Sequence, residues 1–364
     1  MYYNPVKVIE TNDWEKTLFQ SLEKLNIENP LVVSSQGNTK RNNLNDHFNS
    51  ANIFHDIENN PTLESCQRAI DYVKNTKYDG VVAMGGGSTM DTAKTMMAAV
   101  GNKIYSIQKL LSDKLKFHDR LPAVFIPTTH GTGSEATMWG TVWDIQKKCK
   151  FSLSHQALYP DVAILDGSLT TSLSIELSVT TILDALSHCF ETLWNKNCNP
   201  KSAEFAISAI CILLTETHRI KKQPENVVIR KYILKAANLA GLAFSNTKTA
   251  AAHSISYPLT IDYGIPHGIA CSMPIIPLLQ INKKAIRIEL ERIYTKLHLG
   301  NLSDLETLIL QMPKDIIDFN LSKWGVKVGD LTDIANRAIY KSRISNNIIP
   351  LNNQDILFIL KQIM

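Results

Sequence analysis

The run Gly80-Val-Val-Ala-Met-Gly-Gly-Gly-Ser-Thr-Met-Asp-Thr-Ala-Lys94 constrains the fold of this chain more than any other stretch. It reads as a buried strand that turns through consecutive glycines into a helix opening near Ser88. Glycine lacks a Cβ and lets backbone approach a ligand closely, and a helix N-terminus offers unpaired N–H groups and partial positive charge. Gly85, Gly86, Gly87 and Ser88 are therefore a candidate cradle for a pyrophosphate. The simpler alternative is a tight turn with Ser88 as N-cap. The spacing matches neither the GxGxxG nor the Walker A fingerprint.

Around this unit, up to about residue 170, short apolar β-rich runs alternate with helical stretches, the pattern of a parallel sheet with crossover helices. Strands are predicted at 31–33, 53–54, 80–84, 123–126 and 162–165, and helices at 13–25, 62–74 and 88–100. The alternation in Trp139-Gly-Thr-Val-Trp-Asp144 predicts an antiparallel arm with the segment 150–153. After Asp166-Gly167 strand-like runs nearly vanish. Helices are predicted at 174–194, 202–218, 225–244, 250–259 and 268–279, with shorter ones from Lys284 onward. The expected division is an α/β domain over residues 1–168, which holds the candidate dinucleotide-binding turn, and an all-α domain over 169–364.

Composition excludes several classes. The net charge of +4 comes from scattered Lys and Arg without a basic stripe, so no nucleic-acid partner is expected. No run of about eighteen apolar residues and no basic-then-apolar leader occurs, which predicts a soluble, unsecreted, cytoplasmic protein with no membrane contact. The six cysteines show no CxxC pairing and read as reduced packing thiols.

Asp184 and His188 are four residues apart, which on a helix puts a carboxylate and an imidazole on one face, one turn apart. Two more imidazoles, His253 and His267, follow. Together they would make an oxygen and nitrogen shell for a divalent ion such as iron(II), zinc or manganese. Hydrogen-bonded core residues are the alternative reading of the first pair. Cys189, next to His188, points about 100° away on a helix and reads as core. The segment Pro127-Thr-Thr-His-Gly-Thr-Gly-Ser-Glu135 follows a predicted strand and should lie at the carboxyl edge of the sheet, where open α/β folds bind ligands. His130 within it is read as either solvated or functional.

Together these segments resemble the iron-containing (group III) alcohol dehydrogenase family, which has a dehydroquinate-synthase-like fold. The resemblance rests on Gly85-Gly-Gly-Ser-x-x-Asp-x-Ala-Lys94, Pro127-Thr-Thr-x-Gly-Thr-Gly-Ser-Glu135, Pro160-Asp-Val-Ala-Ile-Leu-Asp166 and Asp184-Ala-Leu-Ser-His188. It continues through Gly241-Leu-Ala-Phe-Ser-Asn246, His253, Pro266-His-Gly268 and a tail from Asn346-Asn347 to Ile356. It implies that Asp184, His188, His253 and His267 bind Fe2+, or alternatively Zn2+. It further implies hydride transfer between a nicotinamide cofactor and an alcohol–aldehyde pair. Gly85, Gly86, Gly87 and Ser88 would hold the pyrophosphate, Asp91 and Lys94 would support that loop and the nicotinamide side, and Thr128, Thr129 and Thr132 would line the cofactor cleft.

The catalytic positions implied are His267 and Tyr257. Many members carry a further histidine, thought to help relay the proton, four residues after the first downstream ligand; this chain has Tyr257 there. A phenol with a pKa near 10 is a poorer shuttle at neutral pH unless shifted, so proton relay, pocket shaping, a substrate hydrogen bond and packing are the readings of Tyr257.

The segment Val33-Ser-Ser-Gln-Gly-Asn-Thr-Lys-Arg41 lacks the carboxylate that holds a ribose 2′-OH in many NAD enzymes. Its small residues followed by two basic ones look like NADPH-using members. Ser35 and Lys40 are thus expected at the cofactor, with NADPH preferred or both NADPH and NADH accepted. The stretches 137–144 and 248–260 look like the phosphonate-associated branch, which reduces phosphonoacetaldehyde to 2-hydroxyethylphosphonate. Lys150, Ser254 and Arg343 are candidate partners for the anion. Generic short-chain aldehydes or diols, and a dehydroquinate-synthase-like lyase reaction, are the competing readings. A homo-oligomer, a dimer paired through the 139–144 arm, is expected.

Overall fold

The computed structural model describes residues 1–112, 114–339 and 343–364. Its contacts divide the chain into two compact units, one of residues 4–129 and 133–170, the other of 1–3, 130–132 and 171–364.

The first unit is built on six parallel strands, β1 (Lys7–Thr11), β2 (Pro30–Ser34), β3 (Ile53–Phe54), β4 (Gly80–Gly85), β5 (Ala123–Pro127) and, after the two arm strands β6 (Trp139–Asp144) and β7 (Cys149–Ser154), β8 (Val162–Asp166). Their order across the sheet is β1-β8-β5-β4-β2-β3. The crossovers carry helices α1 (Trp14–Lys24), α2 (Gln36–Arg41), α3 (Leu44–His47), α4 (Leu63–Val73), α5 (Gly87–Asn102) and α6 (Ile107–Ser112). Both faces of the sheet are covered, which is why its strands read as continuous apolar runs. Leu31, Val33, Val81, Ala83, Ala123 and Phe125 belong to one buried cluster. Val32, Val82, Met84, Val124 and Ile126, their neighbours in sequence, belong to another together with Leu18 and Leu22 of α1. Strands β6 and β7 pair antiparallel as expected, and Trp143 of β6 also bridges to Thr62, with its N–H donating to the Pro61 carbonyl.

The second unit is helical: α7 (Ile175–Leu193), α8 (Pro200–Ile220), α9 (Val227–Thr247), α10 (Ala251–Tyr263), α11 (His267–Ser272), α12 (Ile275–Asn282), α13 (Arg287–Leu297), α14 (Leu302–Gln311), α15 (Leu331–Ile339) and α16 (Asn353–Gln362). Asparagine and serine N-caps start α7, α8 and α9 through Ser174, Asn199 and Asn226, and Pro200 occupies the first turn of α8, where its missing N–H costs nothing. No described helix is long and apolar enough to cross a membrane.

Three expectations need correction. The strand β1 was not foreseen, so the segment ending at Ser34 is the second strand in chain order; its Val-Ile pair sits among charged and half-exposed residues at the sheet edge, where no long apolar run is needed. The single helix expected over 268–279 is two helices, α11 and α12, parted at Met273 and Pro274, because proline has no N–H to continue the first ladder. Ser88 is not a cap: α5 begins at Gly87 with Gly86 as N-cap and no side chain bonded there.

Candidate metal centre and phosphate loop

Strand register brings the predicted phosphate-loop residues together. Ser34 pairs with Met84 and Gly85 with Pro127, so Ser35, Gly86 and Thr128 leave the sheet side by side at its carboxyl edge. The Thr128 N–H donates to the Gly85 carbonyl at 3.0 Å, and Asn38 Nδ2 reaches Thr128 Oγ1 at 3.3 Å. Asn38, which sequence reading passed over, lies three residues after Ser35, the N-cap of α2. Lys40 is exposed on that same short helix.

The glycines are needed for space. A Cβ on Gly85 would fall 2.2 Å from Thr89 Oγ1, and one on Gly86 would fall 3.0 Å from Thr129 Cγ2. Without an N-cap side chain, the first N–H groups of α5 are left for an anion, which fits a dinucleotide pyrophosphate. Ser88 Oγ accepts the Asn60 N–H at 3.2 Å.

Lys94 ties this helix to the hydroxyl-rich loop. It is wholly buried, and its Nζ donates to Ser134 O at 2.7 Å, Ser134 Oγ at 2.9 Å, Thr137 Oγ1 at 3.1 Å and Trp139 O at 2.9 Å. Burial pulls the ammonium down to about 8, while the Asp91 and Glu135 carboxylates pull it back. Desolvation lifts the Asp91 carboxyl above its usual range, opposed by Lys94 and Lys150. The Lys94→Met variant would leave these carbonyls without their donor and Asp91 without its cation. The expected loss is about 3 kcal/mol, seen as a melting temperature lower by roughly 5–10 °C in calorimetry. A change of about one degree would contradict this role.

The predicted metal ligands converge in the helical unit. Asp184 and His188 lie one turn apart on α7, His253 is on α10, and His267 is the first residue of α11. Asp184 Oδ1 is 3.8 Å from His188 Nδ1 and 3.7 Å from His253 Nε2. The ring centroids of His188 and His253 are 4.5 Å apart, and those of His253 and His267 5.2 Å. Asp184, His253, His267 and Cys271 present donor atoms all within 4.8 Å of one another. Two ligands of one ion are separated by at most about 4 Å, so small side-chain movements close this group around a metal.

His253 Nε2 is buried, has no hydrogen-bond partner among the described residues, and faces this group. An orphaned imidazole nitrogen beside a carboxylate is the donor chemistry a divalent ion requires. Burial favours a protonated Asp184, but His188, His253 and His267 outweigh it and hold the carboxyl far below its usual range. Burial likewise disfavours a charged His253, yet Glu191 and Asp184 raise it to about 10.

Cys271, read from sequence as packing, sits one turn after His267, and its Sγ donates to Asp184 Oδ1 at 3.4 Å. Burial, then the Asp184 and Glu191 charges, push this thiol well above its ordinary value. In this structure it is a hydrogen-bond donor to Asp184 and lies within the same group of donor atoms as His253 and His267, while His188 adjoins Asp184 from one turn along α7. The helical spacing His267–Cys271 was the signal available in the sequence. Glu191 was also passed over: it is wholly buried, with Oε2 2.5 Å from His253 Nδ1 and Oε1 accepting the His253 N–H at 3.1 Å.

Backbone approaches define the rest of the group. A Cβ on Gly131 would lie 3.2 Å from Asp184 Oδ2, and one on Gly268 only 2.2 Å from the Thr180 carbonyl oxygen. Tyr257, one turn after His253, is buried with its ring parallel to that of His267 at 6.4 Å. Thr132 is half-buried. His130 is not solvated: it is wholly buried, neither ring nitrogen has a hydrogen-bond partner among the described residues, and burial with the nearby Arg230 lowers it to about 3.

The three residues considered for an anionic substrate fall in both units. Lys150 lies in the sheet unit on β7, its Nζ 5.4 Å from the Trp143 ring centroid. Ser254 is wholly buried on α10, its Oγ without a hydrogen-bond partner among the described residues. Arg343 is half-buried and immediately precedes a short 3-10 turn.

Comparison with known proteins agrees with this geometry. Residues 5–167 match the family model described as iron-containing alcohol dehydrogenase, and residues 178–364 match that of the Fe-containing alcohol dehydrogenase family, C-terminal. The chain is 30% identical to the phosphonoacetaldehyde reductase of Streptomyces viridochromogenes over 63% of its own length and 59% of that protein's. It is 28% identical to the sulfoacetaldehyde reductase of Bilophila wadsworthia, with 81% and 79% covered. In fold it is similar to the crystal structure of sulfoacetaldehyde reductase from Bifidobacterium kashiwanohense in complex with NAD+, with a TM-score of 0.91 and 24% identity over 100% of this chain and 98% of that one. The sheet unit followed by the helical unit is the dehydroquinate-synthase-like architecture expected from the sequence. Across both its halves, the chain belongs to the iron-containing alcohol dehydrogenase family, whose members are oxidoreductases acting on CH–OH groups.

Proposed function

We propose that this chain is a metal-dependent, NAD(P)H-linked reductase of short aldehydes bearing an acid group, with phosphonoacetaldehyde as substrate and 2-hydroxyethylphosphonate as product. The observation that carries the reading is the convergence of Asp184, His188 and His253 on one buried point, with His267 beside them. When bound, a divalent ion, iron or zinc, polarises the substrate carbonyl, and the reduced dinucleotide supplies the hydride.

The chain's own residues do the rest. Asp184 brings the negative charge and His188, His253 and His267 the neutral donors. Gly85, Gly86, Gly87 and Ser88 receive the pyrophosphate at the start of α5, with Asp91 and Lys94 bracing that loop and Thr128 and Thr129 beside it; Thr132 is a further proposed cofactor residue. We assign Tyr257, buried one turn after His253 with its ring parallel to that of His267, to the shape of the catalytic pocket at the position where many family members carry the further histidine. Ser35 and Lys40, with no carboxylate between them, favour NADPH or accept both cofactors. Lys150, Ser254 and Arg343 are the proposed partners of the acid group. A protein of this kind works in the cytoplasm, and we place dimer pairing at the β6–β7 arm.

Similarity to sulfoacetaldehyde reductases, one of them covering 81% of the chain, supports a second reading in which the acid is a sulfonate. Rates of NADPH and NADH oxidation with phosphonoacetaldehyde, sulfoacetaldehyde, acetaldehyde and butanal decide the matter. A charge-assisted hydrogen bond to the acid group contributes about 1.5 kcal/mol or more, so an acid-bearing aldehyde is expected to exceed the neutral ones by at least about tenfold in kcat/KM. Equal efficiencies would overturn the anionic substrate, and a tenfold deficit with NADPH relative to NADH would overturn the cofactor preference. Net cofactor oxidation also excludes a lyase, which returns its hydride to the product.

A further inference from the structure

We propose that Glu191 is a positioning residue of the metal centre, fixing the tautomer and ring orientation of His253 so that Nε2 keeps its lone pair toward the ion. This rests on the reading of Asp184, His188, His253 and His267 as the ligand set.

Helix α7 presents Asp184, His188 and Glu191 on one stripe, since positions four and seven residues along a helix return to nearly the same face. A buried carboxylate is costly unless its oxygens are fully used, and His253 uses both. Its backbone N–H donates to Oε1 at 3.1 Å, and its Nδ1 lies 2.5 Å from Oε2.

These contacts explain two features at once. Helix α10 has Ala250 at its N-cap and no cap from its own side chain, so Glu191, reaching from α7, accepts the N–H of its third residue and sits at the positive end of its dipole. The approach is held from behind: Lys248 has φ 65° with ψ 175°, a conformation rare outside glycine, and its carbonyl accepts from Asn195 Nδ2 at 3.1 Å while that of Thr249 accepts from Asn346 Nδ2 at 2.8 Å. The imidazole is therefore fixed at its backbone and at Nδ1. A carboxylate only accepts hydrogen bonds, so Nδ1 carries a proton, and in the neutral imidazole that a metal ligand must be, Nε2, 3.7 Å from Asp184 Oδ1, is the nitrogen left as an acceptor. A carboxylate behind a ligating histidine sets its tautomer and raises its basicity.

Glutamine has the same shape and can still cap α10 through its carbonyl. Its amide then turns N–H groups toward Nδ1, which favours the tautomer with the proton on Nε2, the wrong one for a metal ligand. The test is cobalt(II) binding to metal-free protein, followed by visible absorption and competition with a chelator, in wild type, Glu191→Gln and Glu191→Asp. The expected result is a 10- to 100-fold weaker cobalt affinity in E191Q with a shifted absorption envelope, an intermediate loss in E191D, and unchanged NADPH affinity. Wild-type affinity and spectrum in E191Q, even with a lowered melting temperature, would overturn the proposal and leave Glu191 as a helix cap alone. If E191Q does not fold, wild-type affinity in E191D overturns it. Failure of the wild type itself to bind cobalt would overturn the ligand set and, with it, this inference.

Discussion

Replacing His267 with alanine is expected to lower kcat/KM for aldehyde reduction by about 10³–10⁴-fold while leaving the protein folded. The ligand set has four members, and a metal that loses one binds weakly and presents its carbonyl partner poorly; several kcal/mol of charge stabilisation depend on it. His267 is the clean choice because it is half-buried at the very start of α11, whereas His253 is buried and bonded to Glu191 at two atoms. Turnover, bound metal per chain and the melting temperature would be measured together. A variant with activity within tenfold of wild type would remove His267 from the ligand set.

The Gly268→Ala variant should be nearly as severe, by a different route. The added methyl would lie 2.2 Å from the Thr180 carbonyl oxygen and 3.2 Å from Asp184 Cβ, both on α7. Backbone cannot yield as a side-chain tip does, so α11 must move away from α7, at about 1–3 kcal/mol or more. His267 precedes Gly268 and moves with it, parting from Asp184. The expected outcome is a clear drop in melting temperature, and metal affinity at least about tenfold weaker, a loss that added metal restores only in part. Normal metal affinity in a folded G268A protein would mean that the α7–α11 contact does not set the site.

The sequence made legible those features whose physics is local. The five predicted parallel strands are short, continuous apolar runs because a doubly covered sheet buries both faces of each strand, and Asp184 and His188 were visible because helix periodicity fixes their spacing. The strand–glycine–helix turn at Gly85–Ser88 was legible for the same reason, since glycine in such a junction marks close approach; the alternative reading, Ser88 as N-cap, does not hold because Gly86 takes that place. What escaped depends on pairing between distant segments. Strand β1 borrows its order from β8, and nothing within Lys7–Thr11 announces that. Glu191 stands in the same helical stripe as Asp184, yet its meaning comes from His253, 62 residues away. His130 was read as either solvated or functional, and only the fold, by burying it, removes the first reading. Cys271 seemed inert until α11 was packed on α7.

The most direct test of the central claim is a titration of metal-free enzyme with iron(II) under anaerobic conditions, and separately with zinc(II), monitoring NADPH oxidation with phosphonoacetaldehyde. The account predicts negligible turnover without metal and a linear rise that breaks at one equivalent per chain, absent in the His267→Ala variant. Full activity in the metal-free protein, or activity indifferent to added metal in protein shown to be folded, would contradict it.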